Sequence, residues 1–123
     1  MELVYASDKV QAQCNSVKMA KKLFGGDMLL VRSLLARINA LKMAETIKDI
    51  VVQPTFHFHN LENIHGKNLK GFFAIDVKSR RESWRIILQP LNNNREPFEP
   101  CYIDQISLYV KIVKIMEVSK HYE

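Results

Sequence analysis

Apolar residues recur at helical spacing in the first part of this chain and at alternate positions in the last part. Ser7 and Asp8 offer capping oxygens to a helix predicted to run to about Phe24, with Val10, Cys14, Val17 and Phe24 on one stripe. Gly25-Gly26 ends it, because glycine closes a helix in the left-handed conformation without strain. Asp27 caps a second helix that fades near Ile47. Val31, Leu34, Leu35, Ile38 and Leu41 form its apolar face, leaving Arg32, Asn39 and Lys42 for the others. A short glycine turn between two helices makes them an antiparallel pair. Ahead of them, Glu2 to Ala6 reads as a short first strand.

Pro54 breaks any helix, and Phe56-His57-Phe58-His59 alternates as a strand does. Residues 60–68 read as loop. Asn68 to Lys78 and Ser83 to Leu88 then read as adjacent strands joined by a basic turn, Ser79-Arg80-Arg81-Glu82. On the second of these, Trp84, Ile86 and Leu88 alternate with Arg85, Ile87 and Gln89, which puts Arg85 on the face opposite Trp84. A long polar connection around Asn92 to Pro97 leads to a final strand, with Ile106, Leu108, Val110 and Ile112 on one parity. Lys114, Met116 and Val118 share that parity, so a bulge or bend is expected near Val113. Helices first and sheet second predicts an α+β fold: two N-terminal helices packed on one face of a small antiparallel sheet.

A chain of 123 residues matches one domain, here residues 1–123, and is long enough for a core. The net charge of +5 points to an anionic partner such as nucleic acid, a ribonucleoprotein or an acidic protein. Cys14 and Cys101 are too few for a disulfide framework and read as reduced thiols. The chain shows neither a signal-peptide layout at its start nor an apolar run of about 18 residues, so a cytoplasmic protein is expected, without a membrane.

The chemistry is concentrated around the basic turn. A cation on an otherwise apolar strand, beside a cationic turn, is a way for a small sheet to meet a phosphate, although an Arg on a strand is also often simply solvated. Trp84 suits either the core or a stacking surface for a base, and Tyr109 either a base or the sheet. Lys18, Lys21 and Lys22 form either a solvated face or an RNA contact. His57, His59 and His65 lack a Cys or carboxylate pair at ligand spacing, so neither a metal nor another cofactor is expected.

The block Asn68-Leu69-Lys70-Gly71-Phe72-Phe73-Ala74-Ile75-Asp76-Val77, followed by Ser83-Trp84-Arg85-Ile86-Ile87 and the ending His121-Tyr122-Glu123, resembles the RelE/ParE superfamily of type II toxins, and most of all its HigB branch. The resemblance covers roughly Leu61 to Leu88 and the last strand; over the helices only element order and length agree. It implies a RelE-like microbial ribonuclease fold and a metal-free endoribonuclease that cuts messenger RNA in the decoding A site of the small ribosomal subunit and so stops translation. In that chemistry the ribose 2′-OH attacks the neighbouring phosphorus, a base removes its proton, an acid protonates the departing 5′-oxygen, and cations hold the growing charge.

By this resemblance Arg85 stands at the family's Arg against the scissile phosphate, where its planar fork can bind two oxygens. His121 and Tyr122 fall near the family's terminal Tyr-His, in inverted order, as proton-transfer groups. Where many nuclease members carry a strand Arg this chain has Asp76, so Lys78, Arg80 and Arg81 become the replacement cations, Lys78 and Arg80 as catalytic groups and Arg81 as an RNA contact. Lys70, Lys67 and His65, in the loop before Gly71, are further RNA-binding candidates.

The resemblance also implies a cognate HigA-like helix-turn-helix antitoxin, in a heterotetramer of two toxins and an antitoxin dimer, with operator DNA reached only through the antitoxin. Two other readings share this sequence. One is a ParE-like toxin that poisons DNA gyrase and has no nuclease site; the other is a non-catalytic basic module that binds RNA or protein.

Overall fold

The computed structural model describes residues 1–61 and 69–120. Strand β1 (Glu2–Tyr5) leads into helix α1 (Asp8–Asn15), whose first turn is capped by the Ser7 hydroxyl, 3.2 Å from the Val10 N–H. The expected single helix to Phe24 is divided at Ser16. The Ser16 backbone is extended, its N–H donates to Ala12 O at 2.9 Å, and its Oγ accepts from Met19 N at 3.3 Å. One serine thus closes α1 and caps helix α2 (Val17–Leu23), because its short side chain competes with the helical hydrogen bonds. The break also swings Val17 out of the predicted stripe, to 53% exposure.

Gly25 and Gly26 both take positive φ, and the Gly26 N–H returns to Lys21 O at 2.9 Å to close α2. Asp27 Oδ1 then accepts from Leu29 N and Leu30 N at 3.1 and 3.3 Å, starting helix α3 (Met28–Met43). Leu30, Val31, Leu34, Ile38 and Leu41 are its buried face; four of these belong to the predicted stripe, Leu30 joins them, and the predicted Leu35 is only half-buried. The helix ends earlier than expected, where Ala44 turns extended. Ile47 is fully buried, and its N–H donates to Val110 O at 3.0 Å, which ties this corner to the far end of the chain. A single turn of helix, α4 (Lys48–Val51), and a 3-10 turn at Pro54–Phe56 bring the chain to β2 (His59–Asn60).

The sheet has five strands, ordered β1-β5-β4-β3-β2, with β3 (Phe73–Asp76), β4 (Arg85–Leu91) and β5 (Ile112–Ser119). It is mixed, whereas a purely antiparallel sheet was expected: β1 lies parallel to β5, with Glu2 opposite Ile112 and Tyr5 opposite Ile115. The connection that separates these two strands holds the rest of the fold, so they can run in the same direction. The remaining pairs are antiparallel, with Asp76 opposite Arg85 and Arg85 opposite Ser119. The final strand starts later than its alternation suggested. Ile103–Ile106 form a helical turn, α5, and Leu108 and Tyr109 stand exposed. The predicted irregularity exists but sits at Met116, the extra residue between the Ile87–Glu117 and Leu88–Ile115 pairs.

The sheet is covered on both faces. Ile75, Val77, Ile86, Leu88, Val113 and Ile115 join the buried residues of α1 and α3 in the main core. On the other face Leu61, Ala74 and Ile87 form a second cluster, against which Leu69, Phe72 and Met116 pack. Among the described residues no helix is long and apolar enough to cross a membrane.

Candidate active site

Three elements converge at the hairpin end of the second face. Pro54 opens the 3-10 turn with its fixed φ, and His57 ends it in the left-handed conformation, at φ 51 and ψ 49. A non-glycine residue held there stores a modest strain and turns its side chain sharply from the chain's path. His57 Nδ1 meets Asp76 Oδ1 at 3.0 Å. A carboxylate oxygen only accepts, so Nδ1 is the donor, and in the neutral ring Nε2 carries the lone pair. His59, two residues on, stacks on the His57 ring with centroids 4.4 Å apart and an interplanar angle of 28°. Its Nδ1 donates to His57 O at 2.7 Å, which fixes the same tautomer. Among the described residues neither Nε2 has a hydrogen-bond partner.

Asp76 is 1% exposed and Arg85 is 5% exposed, while the His57 side chain keeps 26% of its surface open. Burial, helped by the charges of His57 and Arg85, pulls the His59 pKa below its ordinary value of 6.5, against the opposing pull of the His57 carbonyl and Asp76. A neutral imidazole at neutral pH is the form able to take a proton. From the helical side, Arg37 Nε donates to the Asp76 and Val77 carbonyls at 3.1 and 3.2 Å, and its Nη2 to Thr55 O at 3.0 Å. Its guanidinium stands 4.7 Å from the Phe56 ring centroid, and burial lowers its pKa, partly offset by the charge of Asp76. Arg37 therefore ties the 3-10 turn that carries His57 to the strand that carries Asp76.

Arg85 occupies the predicted face, opposite Trp84, but not the predicted role. Its Nη1 donates to the carbonyls of Glu82 and Trp84, and its Nη2 to Arg80 O at 3.1 Å. Nε lies 3.2 Å from Asp76 Oδ1, with its N–H not aimed at that oxygen, so charge rather than an aligned hydrogen bond holds the pair. A guanidinium sealed in this way has little left for a phosphate. The correction has a physical reason: the second cluster covers this face, and the hairpin's own carbonyls take the donors.

Lys78, Arg80 and Arg81 are exposed on the turn that starts two residues after Asp76. Lys70 lies elsewhere, beside a cavity of about 630 Å³ shared with Gly71, Pro97 and Cys101. His65, Lys67, His121 and Tyr122 lie outside the described residues. Among the described residues no three of His, Cys, Asp and Glu converge to hold a metal ion. The residues missed as a group are His57, His59 and Asp76. The His-x-His spacing was visible, but its carboxylate partner lay 17 residues beyond His59 and was read only as a missing arginine. Comparison of the chain with protein-family models, curated proteins and solved structures finds no match.

Proposed function

We propose that this chain is a toxin of the RelE/ParE type that cleaves messenger RNA, and that His57, oriented by Asp76, is its proton-transfer group. The observation that carries the reading is the 3.0 Å contact between His57 Nδ1 and a buried carboxylate two residues ahead of an exposed basic turn, a contact that leaves the imidazole Nε2 without a hydrogen-bond partner among the described residues. Scission of an RNA strand by its own 2′-OH asks for a base near neutral pH and for cations at the phosphate. His57 Nε2 takes the proton of the attacking hydroxyl. His59, stacked on it and kept neutral by burial, steadies the ring, and the leaving 5′-oxygen takes its proton from water. Lys78, Arg80 and Arg81 balance the phosphoryl charge in place of Arg85, and they attract RNA in a salt-sensitive, sequence-blind way. The chain's excess of 18 basic over 13 acidic residues favours the same class of partner. An antitoxin of HigA-like, helix-turn-helix type, forming a heterotetramer, and a cytoplasmic site of action on the ribosome complete the proposal.

Arg85 favours a second reading. With its donors spent inside the hairpin, the motif that most resembles the nuclease members has lost its phosphate contact, as a gyrase-directed toxin of the same superfamily would allow. Brief induction in bacterial cells separates the two. The nuclease reading expects protein synthesis to stop within minutes, with new RNA ends inside coding regions and unchanged DNA supercoiling. Continued translation with rising DNA damage would overturn it.

A further inference from the structure

A cavity lies away from the histidine pair, where β1 stops short of β5. Tyr5 is the last residue of β1 and pairs with Ile115, so among the described residues no strand pairs with the outer edge of β5 beyond that point. The edge, helix α1 and Trp84 enclose about 360 Å³, lined among others by Lys9, Gln13, Trp84, Glu117 and Lys120. That volume is at the small end of ligand sites. Trp84 is half-buried, with Phe24 packed edge-on at 5.0 Å between centroids. The Lys120 ammonium stands 5.8 Å from the indole centroid. Gln13 is the unexpected member: it is only 8% exposed and sits on the buried side of α1, yet its carboxamide is not sealed and opens to the cavity. An amide open to a cavity offers a donor and an acceptor to whatever enters.

We infer that this cavity holds one nucleotide of a single-stranded RNA. A base stacks on Trp84 in place of the Lys120 chain, as bases do on exposed aromatic side chains. The Gln13 carboxamide, which both donates and accepts, meets the base edge. Lys9 and Lys120 take the flanking phosphate, and Glu117 at the rim disfavours a second one. The choice of RNA over other anionic aromatics rests on the proposed function; the cavity and the amide open to it do not.

Trp84 is the only tryptophan, so its fluorescence reports the cavity directly in the full-length protein. Titration with hexaadenylate should quench it saturably, with affinity falling as salt rises, and AMP should bind more weakly. Gln13→Leu, which keeps the helix and the volume, should weaken hexaadenylate binding about tenfold, and Lys120→Ala should weaken it several-fold. Absence of saturable quenching, unchanged affinity in Gln13→Leu, or tighter binding of AMP than of the strand would each overturn the inference. Lost binding with translation arrest intact overturns this inference and leaves the proposed function standing. Binding retained by a chain that spares messenger RNA supports the inference and removes only the proposed function.

Discussion

Arg85 Nε lies 3.2 Å from Oδ1 of Asp76, and both side chains are sealed from water at the hairpin end of the sheet. The same carboxylate oxygen is 3.0 Å from His57 Nδ1. Asp76 thus links a residue that builds the hairpin to one that stays open to solvent, and the two can be separated by substitution.

Arg85→Ala should destabilise the fold by about 3–5 kcal/mol, because it strands a buried carboxylate and three hairpin carbonyls. Arg85→Lys keeps the charge but loses the planar fork, and should lose about 1–3 kcal/mol. Denaturant midpoints measure both. An Arg85→Ala protein as stable as the parent would mean that the guanidinium is not the hairpin's brace. The same instability makes lost toxicity in this variant uninformative about catalysis.

Stability should fall as the pH drops below about 6.5, for a reason located at His59. Its pKa is lower in the fold than the ordinary 6.5, so the unfolded chain takes up the proton first. The stabilisation is therefore complete above 6.5 and is lost as the pH falls from there toward the folded value. Comparing denaturant midpoints at neutral and mildly acidic pH, the loss should be smaller in His59→Gln. An equal loss in both proteins would place the acid sensitivity elsewhere.

Arg37 clamps the turn that presents His57 to the strand that presents Asp76 through their backbone carbonyls. Arg37→Met keeps much of the packing on Phe56 and removes the hydrogen bonds. The expected outcome is a loss of about 1–3 kcal/mol in stability, together with faster amide exchange at His57 and Val77 than at Leu34. Uniform exchange across these sites would argue against a local clamp.

The helical half of the fold was largely legible in the sequence, because α3 shows its buried face at regular spacing and Asp27 announces its start. Ser16 was not, since a serine in a helical run is equally compatible with a solvated side chain. The parallel pairing of β1 with β5 joins residues more than a hundred positions apart, and no local pattern encodes it. Period-two alternation placed Arg85 on the correct face but not in the correct environment. Ile86 and Ile87 are both apolar, and that doubling was the signal that both faces of β4 are covered. His57 was visible as a residue, but its left-handed backbone and its distant Asp76 arise only when the 3-10 turn docks on β3.

The central claim is most directly tested by the rate at which purified His57→Gln protein cuts messenger RNA in a reconstituted translation reaction, with unfolding measured alongside. Loss of about a hundredfold or more at unchanged stability and RNA affinity is predicted, the size expected when a proton-transfer group is removed. Cleavage at the parental rate would contradict the account.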